Sequence, residues 1–199
     1  VAYTVSANTS TTARTGTLAE SNHRETSAYS AFVANRFDLG DFSITPIVRH
    51  EDFDADRSNR LTGQFGSTSV NRTLAGLGAT WHPTDRLTLF TSVHRGFAPR
   101  RVEDLIGGTG TLTDVDPEKS INFEFGVRAQ PARGVDVQAA YFRTDYDNLI
   151  AVGSIAGGST PLSQGEALFE GVELGVNAEF DGGLYGRLAW TWLGEAEQT

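Results

Sequence analysis

From Ile121 to Gln130 the chain alternates without a break. Ile121, Phe123, Phe125, Val127 and Ala129 fall on one side, and Asn122, Glu124, Gly126, Arg128 and Gln130 on the other. Successive side chains of a strand point to opposite faces, whereas a helix repeats every 3.6 residues, so this stretch is a strand with one apolar and one polar face. Val172, Leu174, Val176, Ala178 and Phe180 separate in the same way from Gly171, Glu173, Gly175, Asn177 and Glu179. Noisier versions run through Tyr29, Ala31, Val33 and Phe37, through Phe42, Ile44 and Val48, and through Ala75, Leu77, Ala79 and Trp81. Three more follow Leu87, Leu89 and Val93, then Val135, Val137, Ala139 and Tyr141, then Leu184, Leu188, Trp190 and Trp192. The chain therefore reads as all-β, with about eight strands.

The connections carry a second regularity. "DLGD" (Asp38 to Asp41), "PTDR" (Pro83 to Arg86), "PARG" (Pro131 to Gly134) and "DGG" (Asp181 to Gly183) have tight-turn chemistry, because Gly, Pro and Asp supply the backbone angles such turns need. Between the pairs that these turns join lie Ala55 to Thr73, Gly96 to Glu118 and Ala151 to Leu168, expected as loops longer than those that usually connect strands. Short and long connections alternate, so an antiparallel up-and-down sheet puts all tight turns at one end and all long loops at the other. Residues 1–26, rich in Thr, Ser and Ala, are expected to hold one strand and another long loop.

Strand length points to the environment. Strands of a soluble sandwich usually have about five or six residues, while these run to about nine to twelve, as tilted strands crossing a bilayer do. Along Val135, Val137, Ala139, Tyr141, Arg143 and Asp145 the outward row passes from apolar residues to an aromatic and then to charge, as at a lipid boundary. Trp81, Phe180, Trp190 and Trp192 are expected to contribute to aromatic girdles. Glu124, Arg128, Glu173 and Arg187 stand on the polar face; an outward arginine at the bilayer midplane would cost about 2–4 kcal/mol, so this face belongs to a wet lumen. The expected fold is an antiparallel up-and-down transmembrane β-barrel, since only closure satisfies every backbone donor and acceptor in lipid. The glycines of the polar row (Gly76, Gly78, Gly126, Gly171, Gly175) and the absence of an aromatic-ended terminal strand at Thr199 suit a segment of a larger barrel. A complete small barrel of about eight strands, serving as an anchor or adhesin, is the alternative.

Composition removes other classes. The chain has 199 residues and a net charge of -9, with no basic stripe to neutralise phosphates, so nucleic acid is not an expected partner. It contains no cysteine, which excludes disulfides and thiolate metal sites. It contains no methionine and is read as a mature or partial chain. No apolar run reaches the roughly 18 residues of a membrane helix. Asp52, Asp54 and Asp56 alternate like the start of a calcium loop, but Arg57 replaces the required glycine. His23, His50, His82 and His94 lack ligand spacing, and a hydrolase built on His50 with Asp52, or on His94, lacks a third partner. Ser154 in "VGSIAGG" lacks the nucleophile-elbow pattern, and Gly107, Gly108 and Gly110 give loop freedom without a following phosphate-loop lysine. Asn8-Thr9-Ser10 and Asn71-Arg72-Thr73 match the glycosylation pattern. No catalytic, cofactor or metal residue is assigned.

"LTLFTSVHRGFAPRRVEDL" (Leu87 to Leu105), "VDPEKSINFEFGVRA" (Val115 to Ala129), "VQAAYFRTDYDNLIAV" (Val137 to Val152) and "GVELGVNAEF" (Gly171 to Phe180) together resemble the C-terminal half of the barrel of TonB-dependent outer-membrane receptors. "ANRFDLGDFSITP" (Ala34 to Pro46) resembles the branch that takes up ferric citrate. The resemblance implies a barrel of about 22 strands in the bacterial outer membrane, occluded by an N-terminal plug. It also implies import of a ferric siderophore or ferric citrate, with iron entering only within its chelate, and energy arriving from the TonB complex through the plug. Lipid and lipopolysaccharide would surround the barrel. On this plan residues 1–199 are a partial barrel domain, without the plug, its coupling box or the terminal strands. Arg95 and Phe97 then stand where a strand exits into an extracellular loop, and Pro117, Glu118 and Lys119 lead back. Arg100, Arg101 and Arg95 are candidates to meet an anionic chelate, because guanidinium offers forked donors that match carboxylate geometry. Pairing of Arg100 and Arg101 with Glu103 and Asp104, or with lipopolysaccharide phosphates, competes with that role. Arg49, on the lumenal row with Ser43, Thr45 and Glu51, is a further candidate, with a structural pair to Glu51 as its competing role.

Overall fold

The computed structural model describes residues 2–4, 17–99, 117–153, 158–163 and 165–198. Two short strands, β1 (Ala2–Thr4) and β2 (Thr17–Glu20), pair with each other. The main sheet is built from β3 (Asn22–Ala34), β4 (Phe37–Leu39), β5 (Phe42–Asn59), β6 (Gln64–Thr84), β7 (Leu87–Ala98), β8 (Glu118–Ala132) and β9 (Val135–Asp147). A separate hairpin of β10 (Ile150–Gly153) and β11 (Gly158–Ser163) intervenes before β12 (Glu166–Glu179) and β13 (Tyr185–Gln198) complete it. Each strand of the main sheet is antiparallel to the neighbour it pairs with, in the order β13-β12-β9-β8-β7-β6-β5-β3, with β4 also on β5. This is the up-and-down order expected from the connections.

Register turns the alternation into two faces. Phe42, Trp81, Leu89, Val127, Ala139, Leu174 and Trp190 stand opposite one another in a continuous row across seven strands, and Phe42 stacks on Trp81 with ring centroids 5.3 Å apart. The neighbouring row on the other face reads Ser43, Thr80, Phe90, Gly126, Ala140, Glu173 and Thr191. The sheet is a single layer. Among the described residues no large side chain is fully buried, and Phe125 of the apolar row is 50% exposed. Two stacked soluble sheets would bury such rows against each other; here they face outward unpaired with protein, as lipid-facing rows do. β3 and β13 lie at opposite ends of the sheet, so the described strands do not close into the small complete barrel that the strand count allowed. The sheet is an open piece of barrel wall.

Three expectations are corrected. Ala55 to Thr73 is not a loop: β5 and β6 run 18 and 21 residues and stay in register to Asn59 and Gln64, joined by a tight turn over 60–63. The pairing continues beyond the point where the sheet leaves the membrane, and water on one side or both erases the apolar row on which the sequence reading relied. For the same reason the stretch from Ala151 to Leu168 holds β10, β11 and the first turn-proximal residues of β12. Residues 1–26, expected as a strand and a long loop, include β1, β2 and the start of β3 at Asn22.

The one interruption at the sheet edge has a local cause. β3 and β4 keep one register against β5 but are separated at Asn35 and Arg36. There Asn35 N–H donates to the Pro46 carbonyl at 3.3 Å, and proline, having no N–H, cannot return the second bond of that pair. The two-face assignment makes a direct prediction for the full-length protein in lipid vesicles. Val127→Arg, on the apolar row, should lower unfolding stability by about 2–4 kcal/mol, whereas Glu124→Arg, on the opposite face, should change it by less than about 0.5 kcal/mol. Urea titration followed by tryptophan fluorescence reads both, and equal losses would mean that the faces do not meet different solvents.

Candidate functional site

The polar face is organised by cross-strand pairs. Ser43 and Thr80 hydroxyls lie 2.6 Å apart. Thr144 Oγ1 donates to Asn122 Oδ1 at 3.1 Å, and Asn122 Nδ2 to Ser120 Oγ at 3.0 Å. Toward the tight-turn end, Arg128 Nε donates to Gln138 Oε1 at 2.9 Å and Gln130 Nε2 to Asp136 Oδ1 at 2.7 Å. Arg128 also lies over the Phe90 ring, 4.6 Å from its centroid, an arrangement in which the ring quadrupole attracts the cation. Arg128, Gln130, Asp136 and Gln138 line a hollow of about 700 Å3 with Glu173 and Arg187.

Glycine makes the aromatic placement possible. Gly126 stands directly opposite Phe90, and Gly171 directly opposite Phe142. A Cβ at Gly126 would collide with Phe90, and one at Gly171 would lie 2.9 Å from Phe142 Cζ. The glycine-rich polar row thus provides the space in which rings lie flat along the wall.

At the long-connection end, charge is sorted by face. Arg24, Arg49, Arg57 and Arg72 share the polar, inner face of β3, β5 and β6, with Glu51 among them. Glu25, Asp52, Asp54 and Asp56 share the outer face. Arg49 Nε pairs with Glu51 Oε1, Glu51 stands opposite Arg72, and Arg72 Nη1 donates to the Asn71 carbonyl at 3.0 Å. Higher on the hairpin the inner face is covered: Ala55, Val70 and even Arg57, at 6% exposure, are buried, with Arg57 Nε donating to Asn22 Oδ1 at 3.3 Å. A buried guanidinium needs such partners.

The predicted site residues separate. Arg49 is on the inner face, and its pair with Glu51 is formed. Arg95 is on the other face: it stands opposite Ile121, on the row of Leu89 and Val93, so it is not brought together with Arg49. Arg100 and Arg101 lie outside the described residues. Arg24, Arg57 and Arg72 were not singled out from sequence. For Arg57 the signal was its period-two spacing from Arg49 and Glu51 within β5, had Ala55 to Thr73 been read as paired strands; Arg24 and Arg72 reach the same face only through the register of β3 and β6 against β5. His50 Nδ1 lies 3.0 Å from Thr73 Oγ1 on the outer face with Asp52, while His94 is on the inner face opposite Gly76.

The outward row ends in a charged rim. Tyr141 donates its hydroxyl to Glu170 Oε2 at 2.8 Å, and Arg143 forks onto Asp145 at 2.8 and 3.0 Å while standing 3.6 Å from Glu170. Lys119 Nζ is 3.7 Å from Asp147.

Residues 2–199 match the family model for the TonB dependent receptor-like β-barrel. The pesticin receptor of Yersinia enterocolitica is 32% identical over 133 residues, covering 65% of this chain and 18% of that receptor. Among solved structures, the unliganded ferric citrate transporter FecA superposes with a TM-score of 0.73 at 18% identity, over 94% of this chain and 29% of that one. The ferric yersiniabactin uptake receptor FyuA from Yersinia pestis gives 0.74 at 24% identity, over 90% and 28%. The chain thus spans about a fifth of the curated relative and under a third of these solved chains.

The ring-over-glycine arrangement is testable. Gly126→Val should force Phe90 off the wall, separate it from Arg128 and destabilise the barrel by about 1–3 kcal/mol. Adding Phe90→Ala to Gly126→Val should recover part of that loss, because the collision with the ring disappears while the close approach to the Ala139 carbonyl remains. Strictly additive losses in a double-mutant cycle of unfolding free energies would refute the contact.

Proposed function

Because the chain belongs to the TonB-dependent receptor-like β-barrel family, we propose that the complete protein is an outer-membrane receptor that imports a ferric siderophore or ferric citrate. FecA is a ferric citrate transporter and FyuA a ferric yersiniabactin uptake receptor; the resemblance of "ANRFDLGDFSITP" (Ala34 to Pro46) to the branch that takes up ferric citrate favours a citrate-like, carboxylate-bearing cargo. The observation that carries the reading is the sorting of charge at the open end of the wall. Four arginines stand on the inner face and four acids on the outer face of the same three strands; of these, Arg49 and Arg72, outside the covered part of the hairpin, present forked cationic donors to the lumen, where an anionic chelate enters. Arg49 and Arg72 on the wall, with Arg100 and Arg101 from the stretch between β7 and β8, are the residues assigned to the chelate. Glu51 holds Arg49 in place until the ligand competes for it. Iron is cargo within its chelate; no resident cofactor is needed and the protein is a transporter, not an enzyme. Energy is supplied by the TonB complex through a plug domain, and the outward face is surrounded by lipid and lipopolysaccharide.

Deleting the gene should abolish uptake of radiolabelled iron presented as ferric citrate or as the cognate ferric siderophore, and supplying the gene in trans should restore it. Arg49→Gln in the full-length receptor should weaken chelate binding about tenfold, a difference of about 1.4 kcal/mol, with unchanged barrel stability. If uptake of every ferric chelate presented persists unaltered after deletion, the import reading is lost. If uptake is lost on deletion but Arg49→Gln binds as tightly as the wild type, only the arginine assignment falls.

A further inference from the structure

Arg95 is the residue that the import reading leaves over. The outward row of β7 runs Leu89, Thr91, Val93, Arg95 and Phe97, and that of β8 runs back as Val127, Phe125, Phe123, Ile121 and Lys119. Arg95 is thus directly opposite Ile121, and Lys119 directly opposite Phe97. Diagonal neighbours of this kind are about 7–8 Å apart, within joint reach of one anionic group for two long side chains. Ile121, level with Arg95, and Phe123, the next outward residue toward the membrane centre, are 50% and 40% exposed.

The two cations are available. Among the described residues Arg95 makes no ion pair, and Lys119 has only Asp147 at 3.7 Å, both half-exposed, a contact worth little in water. Arg143, one strand further on, is committed to Asp145 and Glu170. The rim beyond it on β12 and β13 is acidic, with Glu170 opposite Glu195 and Leu168 opposite Glu197. Among the described residues, the cations at the border of the apolar band that are not held in a close ion pair are therefore Arg95 on β7 and Lys119 on β8.

A cation pair set directly above exposed apolar side chains, on the lipid side of the wall, has the shape of a site for an amphiphile with an anionic head. In up-and-down outer-membrane barrels the longer connections face outward from the cell, so this border lies in the outer leaflet. We propose that Arg95 and Lys119 bind a phosphate group of lipopolysaccharide, with its acyl chains against Ile121 and Phe123. Guanidinium supplies a forked pair of donors to the phosphate oxygens and the ammonium a point charge. The inference deepens the contact with lipopolysaccharide included in the functional reading above and rests on it.

The test uses the full-length receptor, extracted from outer membranes in mild detergent, with retained lipopolysaccharide per barrel counted by native mass spectrometry. Arg95→Gln/Lys119→Gln should retain about tenfold less than wild type, while Arg128→Gln, on the inner wall, should retain the wild-type amount. Arg95→Lys/Lys119→Arg, which keeps both charges, should retain it as well and guards against a folding defect in the neutral pair. Delipidated wild-type receptor should rebind lipopolysaccharide but not the same glycolipid stripped of phosphate, and millimolar inorganic phosphate should not displace it. Wild-type retention by the neutral pair, equal binding of the phosphate-free glycolipid, or displacement by inorganic phosphate would each overturn the site. If neither wild type nor any variant holds lipopolysaccharide, the broader contact falls too, whereas equal retention by wild type and the neutral pair removes only Arg95 and Lys119. Ferric chelate uptake by the neutral pair should match wild type, which separates this outcome from the import reading.

Discussion

A peptide group in hydrocarbon has no water to bond to, and an unpaired one costs several kcal/mol. That requirement organises this chain. It explains why neighbouring strands of the main sheet pair in long antiparallel ladders, why the order along the sheet follows the order in sequence, and why the split between β3 and β4 falls opposite Pro46, which has no N–H to donate. Because the ladder supplies the order, the wall does without a buried hydrophobic core. Its apolar side chains remain exposed in the isolated sheet and find their surroundings in lipid.

The second organising fact is that the wall separates two solvents. On the outward face the rows are apolar through the span and become charged at the rim, where Tyr141, Arg143, Asp145 and Glu170 form a closed set of contacts. On the inward face, glycine and aromatic residues alternate so that rings lie along the wall, leaving Arg128, Gln138 and Glu173 facing water. Above the membrane, where both faces are wet, alternation persists in charge instead of hydropathy: arginines turn in and carboxylates turn out. Each face thereby has its own partner chemistry. On the functions proposed above, the inward arginines would meet an anionic chelate and the outward cations at the apolar border an anionic lipid.

Much of this was legible in the residues. The alternation at Ile121 to Gln130 and Gly171 to Phe180 specified β8 and β12 and their faces, because a period of two admits only one assignment of side chains to sides. Four turn motifs placed the tight connections, and the wording around "RGFAP" and "PEKS" pointed to the family that the model match supports. The candidate site was less legible. Alternation was sought in hydropathy, so the extension of β5 and β6 beyond the membrane, polar on both sides, was read as loop, and with it Arg57 and Arg72 were lost from view.

By itself the sequence determined that the chain is a two-faced antiparallel wall and which side chains share a face, since both follow from local geometry repeated residue by residue. What only tertiary structure decided is which residues meet across strands: that Arg95 stands against Ile121 on the lipid side and not beside Arg49, that Gly126 lies under Phe90, and that β3 and β13 remain apart. Register and closure depend on pairing between segments distant in the chain. A local pattern is compatible with many such pairings until the full ladder of hydrogen bonds selects one.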